Sequence, residues 1–155
     1  MAEMFSGIPA PEPTLNLKQS LRILVIVIAL AAGFTLTLFL VTPRTVHWSV
    51  SDGRLHIRSM IGNDEFPLLV LQLDQARILD LKQEPAWLPQ EKHFGYNGFG
   101  YDAGRFKLRN GELADLYLAT ETIAVRIPKR DSVPLVVGVD DPNIFLAALK
   151  DAAVH

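Results

Sequence analysis

The stretch GRFKLRNGELADLYLAT, residues 104–120, decides how the larger part of this chain is read. Phe106 and Leu108 alternate with Arg105, Lys107 and Arg109. In a strand, successive side chains point to opposite faces, so this alternation gives one apolar and one cationic face. Asn110-Gly111 then breaks the pattern with a dipeptide favoured in tight hairpins, where both positions accept positive φ. The chain returns through LADLYLAT, and the stretch is predicted to be an antiparallel β-hairpin.

The same period extends outward in both directions. In TVHWSVSDGRLHIRSM, residues 45–60, Val46, Trp48 and Val50 share one phase, and Leu55 and Ile57 follow the Asp52-Gly53 turn. FPLLVL and ARILDL read as further strands, with Gly62-Asn63-Asp64 as the turn before the first of them. Residues 82–101, with Pro85, Pro89 and several glycines and asparagines, read as one long loop, functional or packed on itself. TIAVRIP and PLVVGV complete a set of seven or eight short strands. At the end, Asp141 suits a helix N-cap and Pro142 the first helical position. Ile144, Phe145, Ala148, Leu149 and Ala152 would form that helix's apolar face.

Residues 23–41 contain no charge and no proline. As a helix, at about 1.5 Å per residue, they rise roughly 28 Å, close to the hydrocarbon thickness of a bilayer. Lys18 and Arg22 flank one end and Arg44 the other, and Pro43 stops the helix. The expected organisation is a polar tail over residues 1–20, a transmembrane helix over 21–42 and a β domain over 45–155. Pro9, Pro11 and Pro13 make the tail an extended leader. Lys18 and Arg22 on one side nearly balance Arg44, Arg54 and Arg58 on the other, and we take the C-terminal domain as cytoplasmic. Ala29, Ala32 and Gly33 put small residues on the anchor, a pattern that lets membrane helices associate.

Several features together resemble the bacterial pleckstrin-homology domain family. They are Asn97-Gly98-Phe99-Gly100, Gly104, Phe106, the Asn110-Gly111 turn, the Asp141-Pro142…Phe145…Leu149 helix start and the opening WSVSDGRLHIRS hairpin. The resemblance implies a mainly β fold of two packed antiparallel sheets closed by a C-terminal helix. It also implies a single-pass protein of a bacterial inner (cytoplasmic) membrane. The family has no shared catalytic or ligand-binding residues to carry over, so function must be argued from the site.

The residues themselves narrow the chemistry. With no cysteine the chain has no disulfide, thiolate metal site or cysteine nucleophile. A net charge of −2 gives no general attraction to nucleic acid. Mean hydropathy is +0.20, with the excess concentrated in the anchor. His47 and His56 share one hairpin face, but the chain lacks H-E-x-x-H spacing. Gly98, Gly100 and Gly104 miss the dinucleotide spacing, and no serine sits in G-x-S-x-G. No enzyme, metal or cofactor is expected, with an enzyme of unrecognised type as the remote alternative. The candidate binding surface is Lys92, Phe94, Tyr96, Phe99 and Tyr101 with Arg105, Lys107 and Arg109. Its expected partner is another membrane protein, which the module would serve as scaffold, assembly factor or accessory subunit. The alternative is an anionic lipid surface met by the basic strand face. Nothing in the chain argues for nucleic acid.

The charge-free run predicts an uncleaved span. Intact mass of the membrane-extracted protein is expected to include residues 23–41, and a mature species starting near residue 42 would refute the anchor.

Overall fold

The computed structural model describes residues 16–41, 45–59 and 62–154. The predicted leader, apart from its last residues, lies outside them, as do Pro43 and Arg44. The chain divides into two units, Met1–Val41 and Thr42–His155.

Among the described residues, the first unit contains one helix, α1, Leu17–Val41, of 25 residues. At about 1.5 Å per residue it is roughly 37 Å long, enough to cross a bilayer. Leu17–Thr37 has a mean hydropathy of 2.1 with none of its most apolar window buried. Thr35 and Thr37 donate their hydroxyls to the carbonyls of Ala31 and Gly33, both at 2.8 Å. These bonds satisfy both hydroxyls within the helix, which an apolar surrounding requires.

The second unit is mainly β, with nine strands among the described residues and a C-terminal helix. β1 (His47–Ser51), β2 (Arg54–Ser59) and β3 (Gly62–Pro67) form a small antiparallel meander. β4 (Arg77–Asp80), β5 (Pro89–Gly98), β6 (Tyr101–Leu108), β7 (Leu113–Leu118), β8 (Ile123–Lys129) and β9 (Ser132–Gly138) form a large sheet. Its spatial order is β4-β8-β9-β7-β6-β5. Every pair is antiparallel except β7–β9, which is parallel, because β9 enters between β7 and β8. This pair is a departure from the all-antiparallel expectation.

The central strands of the large sheet are buried on both faces. On one face Tyr101, Tyr117, Val125, Ile127, Leu135 and Val137 meet Leu55 and Ile57 of the small sheet and Phe145 and Leu149 of α2 (Pro142–Val154). On the other, Leu79, Phe106, Leu108, Leu116 and Val136 are covered by Trp87 and Leu88. Double burial explains why LADLYL and PLVVGV read as near-continuous apolar runs rather than alternations. Burying one such side chain stabilises by roughly 1.5–3 kcal/mol. An exposed ion pair contributes about 0–1 kcal/mol, so the two cores set the stability.

Local differences follow from these packing demands. FPLLVL is not a strand: β3 ends at Pro67, and Leu68–Val70 make a 3-10 turn that tucks Leu68 into the core. Gly62-Asn63-Asp64 lies within β3, and the β2–β3 connection falls at residues 60–61, outside the described residues. Residues 82–101 are not one loop, since they contain a 3-10 turn, Pro85–Trp87, and the whole of β5. The β6–β7 hairpin forms as expected, but only Gly111 of its Asn-Gly pair has positive φ (86°), so the connection is longer than two residues.

The α2 cap matches the sequence expectation. Asp141 Oδ1 accepts from the backbone N–H of Asn143 (2.9 Å) and Ile144 (3.1 Å). Phe145 and Leu149 are fully buried, whereas Ile144 is exposed and Leu146 takes its expected place against the core. Trp48 stands edge-on to Phe145, with centroids 4.8 Å apart. Phe145→Ala is expected to cost about 3–5 kcal/mol, the sum of lost transfer energy and the cavity left behind. Denaturant unfolding checks it, and a loss below about 1 kcal/mol would show that α2 does not cap the core.

Candidate interaction surface on the β5–β6 hairpin

Gly98 pairs with Tyr101, so β5 and β6 are joined by the two residues Phe99 and Gly100. Both have positive φ, 50° and 75°. That is the turn type in which Asn-Gly is favoured, because an ordinary side chain is strained there. Phe99 occupies the strained position and is 65% exposed. A bulky residue in this conformation is uncommon, and neither burial nor a hydrogen bond of its side chain offsets the cost.

Behind the tip the two backbones of the hairpin approach closely. A Cβ on Gly95 would lie 2.1 Å from the Ala103 carbonyl oxygen, and one on Gly104 would lie 2.3 Å from that of Phe94. Only two facing glycines permit this approach. Register shifts around Gln90 and His93 bend β5, which has β6 on one side and is an edge strand of the large sheet. The Asn97 side-chain amide donates to the Asp102 carboxylate just below the tip. Burial pushes the Asp102 carboxyl up, while this hydrogen bond pulls it down.

The structure disperses the residues that the sequence grouped. Tyr101 is 1% exposed, belongs to the core and donates its hydroxyl to the Arg58 carbonyl at 3.4 Å. Burial pushes its pKa up to about 12. It therefore cannot meet a partner, and the expectation that it does is corrected. Tyr96 is half-buried against the same core. Arg109 lies beyond the end of β6 and lines a groove with Leu81 and Leu88. Lys92 pairs with Phe106, on the opposite face from Arg105 and Lys107. Only Phe94, Phe99, Arg105 and Lys107 remain on the expected side or at the tip.

The basic face is further reduced by pairing. Arg105 donates to Asp115 through Nε (2.9 Å) and a terminal nitrogen (3.2 Å), and Lys129 donates to the same carboxylate. Burial raises the Asp115 carboxyl, but the Arg105 and Lys129 hydrogen bonds outweigh it and hold the pKa below its usual value. The expected face of three free cations is therefore not formed.

What stands out instead is aromatic. Phe94 is 74% exposed beside a depression of about 390 Å3 lined by Phe66, Tyr117, Arg105 and side-chain-free Gly104. Phe66 and Tyr117 meet edge-on, with centroids 6.0 Å apart. Sequence reasoning missed Phe66 and Tyr117, whose contribution depends on a contact between the two sheets.

His47 and His56 do share the solvent face of the small sheet, as cross-strand partners of Arg58 and Ser49. No group of three or more His, Asp or Glu side chains among the described residues could hold a metal ion. His56 Nε2 lies 3.1 Å from Ser51 Oγ, and its Nδ1 lies 3.4 Å from Glu65 Oε1. The register about Asp52-Gly53 foretells this alignment of hydroxyl, imidazole and carboxylate. No family model, curated protein or solved structure matches the chain.

If Phe99 is retained for contact rather than for folding, removing it will not harm the fold. Phe99→Asn is expected to leave stability unchanged or raise it by about 0.5–1 kcal/mol, since Asn tolerates positive φ. Chemical denaturation checks it, and a loss above about 1 kcal/mol would make Phe99 structural.

Proposed function

We propose that this is a single-pass membrane protein whose pleckstrin-homology-like domain binds another membrane protein, as scaffold, assembly factor or accessory subunit, without catalysing a reaction. The observation that carries the reading is Phe99, a bulky exposed ring at a strained turn position on a hairpin of closely approaching backbones. Exposed aromatics on a pre-organised element supply large contact area at low entropic cost, which is how protein interfaces are anchored. Phe94 and the adjoining depression extend that surface, and the edge of β5 leaves backbone groups available to an incoming strand. The pairing of Arg105 and Lys129 with Asp115 favours a protein partner over an anionic bilayer. The anchor supports confinement to a membrane, which raises the effective concentration of a partner in the same bilayer. We place it in a bacterial inner membrane with the domain in the cytoplasm.

The test is purification of the full-length protein from its native membranes in mild detergent, beside the double variant Phe94→Ser with Phe99→Asn. A stoichiometric protein partner is expected with the parent, falling by about tenfold or more with the variant, while circular dichroism and membrane association stay unchanged. Absence of a stoichiometric partner, or equal recovery with the folded variant, would overturn the proposal.

A further inference from the structure

A groove of about 550 Å3 runs along the outer face of the large sheet, away from the aromatic depression. Its volume falls in the range of small-molecule sites, roughly 300–1,000 Å3. Leu81, Leu88 and Leu118 give it an apolar floor, and Lys82, Arg109 and Asp102 add charge to its lining. The groove is pre-formed. The Arg109 and Asn110 N–H groups donate to the carbonyls of Leu88 (3.1 Å) and Ala86 (2.9 Å), tying the β6–β7 turn to one wall. Leu81 N–H donates to the Thr122 carbonyl (2.8 Å), tying the other.

The charges are unequally committed. Glu121 also lines the groove, but its two oxygens accept from the backbone N–H of Val46 (2.6 Å) and Ala119 (2.8 Å). Asp102 accepts from the Asn97 side-chain amide, and burial raises its pKa. Lys82 and Arg109 are exposed and have no side-chain hydrogen bond or ion pair among the described residues. An apolar floor with two uncommitted cations complements a molecule that is apolar along its body and anionic at one end.

We infer that this groove binds a small carboxylate with an apolar body, its carboxylate held by Lys82 and Arg109 and its body laid on Leu81, Leu88 and Leu118. Asp102 faces the same space and sets a limit on the affinity by like-charge repulsion. Thr122, exposed on the groove wall, is the point at which a large side chain would block entry. This site is independent of the hairpin surface and of any protein partner.

Equilibrium dialysis of the full-length protein in lipid nanodiscs, with empty nanodiscs subtracting partition into lipid, tests it. The probes are naphthoate and its neutral counterpart naphthalenemethanol. Saturable naphthoate binding is expected, weakened by about tenfold in Lys82→Ala with Arg109→Ala, while the alcohol binds equally to parent and double variant. Asp102→Asn is expected to tighten naphthoate alone, which a merely structural role for Asp102 would not do. Thr122→Trp should weaken both probes. The inference is overturned if no saturable binding exceeds that of empty nanodiscs. It is also overturned if the double variant, folded by circular dichroism, binds naphthoate like the parent or loses both probes equally.

Discussion

Burying the central strands of the large sheet on both faces is the constraint from which most of this structure follows. A strand whose neighbours are apolar above and below needs two covers, and this chain supplies them from different places. The small sheet and α2 close one face around Phe145 and Leu149. The residues between β4 and β5 lay Trp87 and Leu88 over the other. The second cover is narrow, and the groove lined by Leu81, Leu88 and Leu118 opens beside it. Trp87 also stacks near the Arg126 guanidinium, 5.3 Å from its ring, so the cover is held by a cation as well as by apolar contact.

Two carboxylates organise what the apolar cores leave open. Glu121 accepts from Val46 and Ala119, residues far apart in sequence, and so fastens the start of the domain to the β7–β8 connection. Gly138 is part of that arrangement, since a Cβ there would lie 2.8 Å from the Glu121 carboxylate. Asp115 gathers Arg105 and Lys129 beside the aromatic depression. Lys129 also lies 5.0 Å over the Phe66 ring, so cations and rings are locked into one cluster rather than left as a diffuse basic field. That cluster explains why Phe94 and Phe99 are left as the outstanding features of the hairpin: Arg105 and Lys129 are committed to Asp115, while neither ring stacks on another ring or a cation among the described residues.

Sequence alone determined the features that depend on short-range chemistry. The continuous apolar run specified α1, because no alternating or amphipathic element tolerates so many apolar residues in a row. Asp52-Gly53 specified the β1–β2 turn and Asn110-Gly111 marked the β6–β7 turn. Asp141 and Pro142 set the start of α2, because a cap needs only its own side chain and the next few backbone N–H groups. The mainly β character followed from the period-two alternation in β1, β2 and β6.

Only the tertiary structure decided the rest, and the reasons are long-range. β5 was hidden because its glycines and asparagines read as loop. They are tolerated in a strand because Gly95 and Gly104 let two backbones approach where no side chain fits. Tyr101 and Phe99 are two residues apart and alike in composition, yet one is core and the other a strained, exposed tip. The Gly98–Tyr101 register decided which was which. Arg109 continued the alternation of Arg105 and Lys107 on paper, but β6 ends at Leu108, and the turn carried it to the opposite face. The parallel β7–β9 pair was equally invisible, because strand order depends on which apolar faces find cover, and that is settled only when every strand competes for the same two cores.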